Sequence, residues 1–399
     1  MEAVSQALLT LLGRALFQAD QPLPDELDWA LLYQEALSHT VQLLVYDCLT
    51  EQERSAMPPE VAAKWHQSAL MTLWNNEQLS AEQTLVLNTL SAAGIPCVIL
   101  KGSSSALSYP KPELRCAGDI DLLVTRDTLE QAEQLLIGIG YVPPTEPHHC
   151  HLSMQRGRMI TELHFEPNGI PDSPVGDDIR AFFKGAEQHP DICAALPILP
   201  PSQRAVLMLL HMLEHITGSG MGLRQVCDWA VFVQKELTPP VWDALRPVLL
   251  RFGLLRFAAV ITRVCVDALS LPARSAPWCL DADASVCRAL LRDILRTGNF
   301  GRKESRYGQR LFTDGRSGSR LSSFYHTGLS TCRTHFPACQ KHPVLLPIAP
   351  FVVVAHYLQH RAKRERPKFQ LLKMYQAAGS RQKLYHALAP FERGRAQEP

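Results

Sequence analysis

Two short apolar runs, residues 97–100 and 120–124, bracket the stretch that most restricts what this chain can fold into. The first runs into Lys101-Gly102-Ser103, and the second is led by Asp119-Ile120-Asp121. Apolar runs of four or five residues bounded by Gly, Pro or charge read as β-strands. Strand, glycine turn and acidic strand therefore follow one another. Alternate side chains of a strand share a face, which sets Asp119 and Asp121 together and turns Ile120, Leu122 and Val124 toward a core. Two carboxylates about 7 Å apart along one strand face suit a divalent, oxygen-ligated cation such as Mg²⁺.

A third carboxylate is available further on. Residues 149–155 and 159–165 read as two strands joined by Arg156-Gly157-Arg158 in a hairpin-like connection, and on the second strand Glu162, His164 and Glu166 share one face. A helix is expected to begin at 104–108 and to end at Tyr109-Pro110, and an amphipathic helix is expected over 128–139 with Asp127 placed to cap it. Apolar residues at three- and four-residue spacing predict helices over 8–17, 29–49 and 65–90, and again over 204–216, 223–235, 240–252 and 255–269. In this reading Trp229, Trp242 and Phe252 are core. The resulting expectation is an α+β protein: a helical region over 1–93, a small mixed-sheet unit over 94–200, a helical cap over 201–297, and a basic loop with a C-terminal helical region over 298–399.

Length supports more than one core, since 399 residues exceed what a single core encloses. The formal net charge of +1 conceals an asymmetry: residues 301–399 hold 18 Lys and Arg against 5 Asp and Glu. Such a basic quarter can attract anionic partners, RNA among them, or simply complement the acidic remainder of the chain. It lacks the interleaved aromatic residues of a single-strand binder, which keeps RNA a minor expectation. The polar 298–342 stretch is the candidate substrate-facing loop. Pro347 and Pro350 interrupt the apolar run 344–354, so it reads as a buried segment rather than a membrane span, and no secretory signal pattern opens the chain. Eleven cysteines without a Cys-x-x-Cys argue against a disulfide framework and fit a cytoplasmic protein. Consecutive residues on a strand face opposite ways, which counts against a zinc site at His148-His149-Cys150-His151. His211 and His215 lie one helical turn apart and can face one cleft, while Arg224 and Asp228 have the spacing of an ordinary helix-surface ion pair.

Hydrophobic-Gly-Ser, then Asp-x-Asp, then a later acidic residue resembles the nucleotidyltransferase superfamily of DNA polymerase β. More closely, Leu100-Lys-Gly, Tyr109-Pro110, Arg115-Cys-Ala-Gly-Asp-Ile-Asp-Leu-Leu-Val, Gly140-Tyr141 and Glu162-Leu-His164 resemble a bacterial family of uncharacterised nucleotidyltransferases. Looser similarity extends to Leu210-His-Met-Leu-Glu-His215 and Leu223-Arg-Gln-Val-Cys-Asp228. The resemblance implies a polymerase β-like catalytic domain that transfers a nucleoside monophosphate from an NTP to a hydroxyl of a small molecule, protein or RNA. It implies two Mg²⁺ ions, or Mn²⁺, held by Asp119, Asp121 and Glu162, with Glu162 alternatively taking the acceptor's proton. Gly102 and Ser103 would receive the β/γ-phosphates on backbone N–H groups, Lys101 or Arg115 would neutralise them, and His211 and His215 would line the substrate pocket. Fifteen residues separate Ser103 from Asp119, more than that superfamily's usual gap. Two other readings accompany this one: an inactive nucleotide-binding regulator or scaffold of the same fold, and an interaction protein that uses the basic end.

Overall fold

The computed structural model describes residues 3–24, 26–143, 149–218, 220–299, 302–303 and 381–394. The expected loop over 298–342 falls almost wholly outside them. So do the apolar run 344–354 and most of the basic quarter.

The chain opens with α1 (Ala3–Phe17), α2 (Trp29–Ser38), α3 (Gln42–Asp47) and α4 (Glu51–Ser55). The helix expected over 29–49 is thus two helices. The break falls at Thr40, whose φ of +59° lies in the left-handed region, where a β-branched residue is costly. The long α5 (Pro59–Ala92) follows, with proline at its first turn, where no backbone hydrogen bond is lost.

The sheet is assembled from β1 (Val98–Ile99), β2 (Ile120–Leu123), β3 (His151–Arg156) and β4 (Met159–His164), joined later by β5 (Asp191–Cys193) and β6 (Leu196–Ile198). Its six strands run in the order β3-β4-β2-β1-β6-β5. The sheet is mixed: β2 pairs parallel to β4 and β1 parallel to β6, while β1–β2, β3–β4 and β5–β6 are antiparallel. Between the strands lie α6 (Ser103–Ala106), α7 (Leu129–Gly138) and α8 (Pro174–Phe183). Asp127 does not cap α7. The turn before that helix is closed by Thr125, whose Oγ1 accepts from the Thr128 N–H at 3.1 Å.

Alternation decides how the sheet is covered. Ile99, Ile120, Leu122 and Val124 join Val86 and Leu90 of α5 and Ala132 and Leu136 of α7 in one apolar cluster. Val98, Leu100 and Leu123 point the other way, into a second and larger core. That core is made by α1, α9 (Pro201–Thr217), α10 (Leu223–Lys235), α11 (Pro239–Phe252), α12 (Leu255–Leu269) and α13 (Ala284–Thr297). Trp229 and Phe252 are buried in it as expected, and Trp229 Nε1 donates to Thr262 Oγ1 at 2.8 Å. Trp242 is only partly buried and stacks on Trp278 with ring centroids 3.8 Å apart. The long α5 contributes to both cores, with Trp65 and Ala69 in the larger and Val86 and Leu90 in the smaller. Among the described residues, no helix is long and apolar enough to cross a membrane.

Candidate active site

Parallel pairing of β2 with β4 sets Asp121 directly opposite Glu162 and Leu123 opposite His164. Because residues two apart on a strand share a face, Asp121, Glu162 and His164 converge. His164 Nε2 lies 3.0 Å from Asp121 Oδ1 and 3.2 Å from Glu162 Oε2. One donor atom from each of these side chains fits within 4.8 Å of the other two. Asp119, just before the strand, reaches the same cluster through Lys101, whose Nζ stands 3.8 Å from Asp119 Oδ2 and 3.1 Å from Asp121 Oδ1. Asp119, Asp121 and Glu162 are thereby brought together, with Lys101 among them.

Electrostatics favour the charged forms of Lys101, His164 and Glu162. Burial opposes charge on Lys101, yet Asp121, Asp119 and Glu162 hold its ammonium above the ordinary lysine value. Burial likewise opposes charge on His164, yet its hydrogen bonds to Asp121, Cys150 and Glu162 hold it well above the ordinary imidazole value. For Glu162 burial favours the neutral acid, but His164 and Lys101 win and its pKa is lowered. Asp121 is 1% exposed, and its Oδ2 is buried without a hydrogen-bond partner. A carboxylate oxygen accepts but cannot donate, so that atom needs a donor or a cation. The donor set and the orphaned oxygen together fit a divalent metal.

The turn between β1 and α6 depends on Gly102, whose φ of +73° belongs to glycine. Ser103 turns its hydroxyl away from the carboxylates and donates to Gln83 Oε1 of α5 at 2.5 Å. Helix α5 also fixes the approach to β2. Asn76 Nδ2 donates to the carbonyls of Glu113 and Arg115 at 2.8 and 2.9 Å, and its Oδ1 accepts from the Ala117 N–H at 3.1 Å.

Arg115 is held in a buried ion pair. Its Nε and Nη2 each donate to one oxygen of Asp228 at 2.8 Å, and Nη1 donates to the Cys116 carbonyl at 3.3 Å. Tyr109 completes the clasp by donating to Asp228 Oδ1 at 2.7 Å. Each nitrogen of Arg115 thus makes one bond inside the protein, while Nη1 and Nη2 each keep a second N–H, and Arg115 lines the cavity at this site. Arg224 and Asp228 are not a surface pair: Asp228 is 7% exposed and belongs to Arg115. His211 and His215 do face each other, with Nε2 atoms 3.1 Å apart and rings edge to face. Burial, and the charges of Lys101 and Arg224, push His215 down to about 3, and burial beside His215 pushes His211 well below its ordinary value, so the pair is neutral.

A cavity of about 310 Å³ opens among these elements, its walls including Lys101, Asp119 and His164 on the sheet side and Met208, His211 and Arg224 on the helical side. A larger cavity of about 1360 Å³ runs along α5 and meets the first at Gly102, Arg115 and Ala117. Thr40, Asn168 and Asn299 also line the smaller cavity. No local pattern signals them, because their elements arrive from distant parts of the chain. His164 was readable, since it shares the face of Glu162. The zinc argument also needs amending: β3 begins at His151, so strand alternation does not separate Cys150 from it. Donor atoms of Cys150, His151 and His164 lie within 4.8 Å of one another, while His148 lies outside the described residues.

The sequence profile of a family described as uncharacterised nucleotidyltransferase matches residues 25–270, more than half of the chain. No curated protein and no solved structure matches it.

Proposed function

The chain belongs to the uncharacterised nucleotidyltransferase family, and from that premise we propose that it transfers a nucleoside monophosphate from an NTP to a hydroxyl acceptor. The observation that carries this reading is the set of three carboxylates gathered by Lys101 and the β2–β4 register, Asp119, Asp121 and Glu162, with one buried Asp121 oxygen left without a partner. In the reaction the acceptor oxygen bonds to the α-phosphorus, the bond from that phosphorus to the bridging oxygen breaks, and pyrophosphate leaves with the electron pair. The acceptor's proton passes to solvent.

Asp121, Glu162 and Asp119 would hold Mg²⁺ or Mn²⁺, with His164 donating to Asp121 and Glu162 and orienting their carboxylates. Such a cation supplies charge neutralisation to the entering and leaving oxygens when it is bound. The lowered pKa of Glu162 makes it a weak base, which favours holding charge over taking the acceptor's proton. Lys101, already charged and lining the cavity beside Gly102, is the protein's own cation for the polyphosphate. The Gly102 turn leaves its backbone open to close approach. Neutral His211 closes the helical side of the chamber, where it can donate or accept a hydrogen bond without adding charge.

A second reading, nucleotide binding without transfer, is favoured by one observation. The Lys101 ammonium sits in ion-pair contact with both aspartates, a position from which it competes with a metal. Incubation with each α-labelled NTP and Mg²⁺ or Mn²⁺ separates the two, with label sought on the protein, on small acceptors and on RNA. Transfer by wild type that disappears in Asp119→Ala/Asp121→Ala supports catalysis. Equal labelling by both proteins refutes it, and tight NTP binding with no transfer in any acceptor pool selects the second reading.

A further inference from the structure

Arg224 is a guanidinium in the cavity wall with almost nothing to bind. Its Nη1 donates to the Cys116 carbonyl at 3.1 Å, and its Nε is buried without a partner. The carboxylate one helical turn along α10, Asp228, is consumed by Arg115 and Tyr109. Among the described residues no carboxylate comes within ion-pair distance of Arg224. A guanidinium offers five N–H donors in a planar fork, and one bond to a neutral carbonyl leaves most of them idle. Charge placed in a protein wall without a counter-ion costs free energy that folding alone does not recover. The surroundings worsen the cost: burial and the neighbouring Arg115 disfavour the charged form of Arg224 and outweigh Asp228, Asp119 and Cys116, which favour it.

The remaining walls do not supply the missing charge. His211 and His215 are neutral, and Leu207, Met208 and Met212 are apolar. Across the cavity Asp119 is tied to Lys101. The chamber is therefore polarised, with Asp119 paired to Lys101 on the sheet side and an unsatisfied cation on the helical side. Its volume of about 310 Å³ accommodates one small molecule.

We propose that Arg224 is the anchor for an oxyanion, a phosphate or carboxylate group of the small molecule that occupies this cavity. Arginine is suited to the task because its fork matches both groups with two parallel bonds. The inference deepens the nucleotidyl-transfer reading by giving the ligand of this chamber a negative charge at the end remote from the carboxylate cluster. Two sources share that chemistry: the polyphosphate of the nucleotide, and an anionic group on the acceptor.

The test is equilibrium binding without turnover. Calorimetry or thermal-shift titration of the full chain with MgATP, inorganic pyrophosphate, inorganic phosphate and acetate is compared across wild type, Arg224→Met and Arg224→Lys. Loss of a charge-assisted bond predicts binding about tenfold to a hundredfold weaker in Arg224→Met, with the lysine variant between. Weakened MgATP and pyrophosphate binding assigns the oxyanion to the nucleotide. Weakened phosphate or acetate binding with MgATP unchanged assigns it to the acceptor. All probes within twofold of wild type in both variants overturns the proposal. Ligand-free stability is the second readout: Arg224→Met should melt no earlier than wild type, because it removes an uncompensated charge, and a marked loss of stability assigns Arg224 a structural role instead. Pyrophosphate, phosphate and acetate titrated without Mg²⁺ keep the two readings apart: loss of their binding in Arg224→Met stands even where wild type shows no transfer.

Discussion

Replacing Arg115 by methionine removes one member of a buried bidentate pair and leaves the other charged. Arg115 is 6% and Asp228 7% exposed, and the two Nε and Nη2 bonds are each 2.8 Å long. In Arg115→Met the Asp228 carboxylate keeps only the Tyr109 hydroxyl among these partners. Breaking a buried pair by deleting one partner costs about 3–5 kcal/mol, whereas replacing both by apolar groups of similar size is often close to neutral. Arg115→Met should therefore lose about 3–5 kcal/mol in urea unfolding, and Arg115→Met/Asp228→Leu should recover most of that loss. Solvent screening offers little relief at these exposures, so the full range applies. A single variant within about 1 kcal/mol of wild type would refute the reasoning, as would a double variant no more stable than Arg115→Met. The contrast with Arg224→Met, expected to cost nothing in the ligand-free protein, makes the pair of arginines an internal control.

Other outcomes can be checked separately. Asp121→Asn should weaken Mn²⁺ binding, followed by the paramagnetic resonance of free Mn²⁺, by roughly tenfold or more, and unchanged affinity would remove Asp121 from the metal set. His39 is buried, with Nδ1 accepting from the Leu223 N–H at 3.2 Å, and burial together with the charge of Lys303 lowers its pKa from 6.5 to about 3. Between those values the unfolded chain binds a proton that the folded chain refuses, so stability is lost as pH is lowered, by at most about 1.4 kcal/mol per unit. His39→Gln should flatten the pH dependence of urea midpoints measured between roughly pH 4.5 and 6.5. Gly222→Ala would set a Cβ 2.7 Å from Asn299 Cβ and 2.9 Å from its Cα, too close for either to stay. It should cost about 1–3 kcal/mol in thermal or urea unfolding and disturb the chain of bonds from Gln225 through Asn299 to Thr40.

Where the sequence was readable, one periodicity ruled over a whole element. The helices 223–235 and 255–269 begin and end at the expected residues, because each carries an uninterrupted apolar stripe. Strand alternation put Glu162 and His164 on one face and the family resemblance singled out Glu162; the parallel register then sets it opposite Asp121. Strands β5 and β6 escaped notice, since each has three residues and β5 is exposed throughout, which leaves no alternation to detect. Helix α13 also went unnamed, although Asp283 caps it by accepting from the Ser285 N–H at 2.7 Å. The partner of Asp228 was misjudged because the local candidate, Arg224, is visible in one turn of helix. The actual partner, Arg115, lies 113 residues away, and its two-bond geometry outcompetes an i,i+4 contact. Nothing local announces such a choice, which tertiary packing makes.

The two-residue β1 sits in the middle of the sheet, and its parallel neighbour comes from far along the chain: Ile99 pairs with Ile198. During synthesis at roughly 5–20 residues per second, about 5–20 s pass between the emergence of those two positions. Over that interval β1 has β2 on one side and nothing on the other, an open sheet edge bearing Val98 and Ile99. The ribosome thus holds a half-built sheet whose exposed side is the one later closed by β6. Yield of native protein should depend on the speed of elongation between positions 99 and 198, and on whatever shields that edge while the rest of the chain is made.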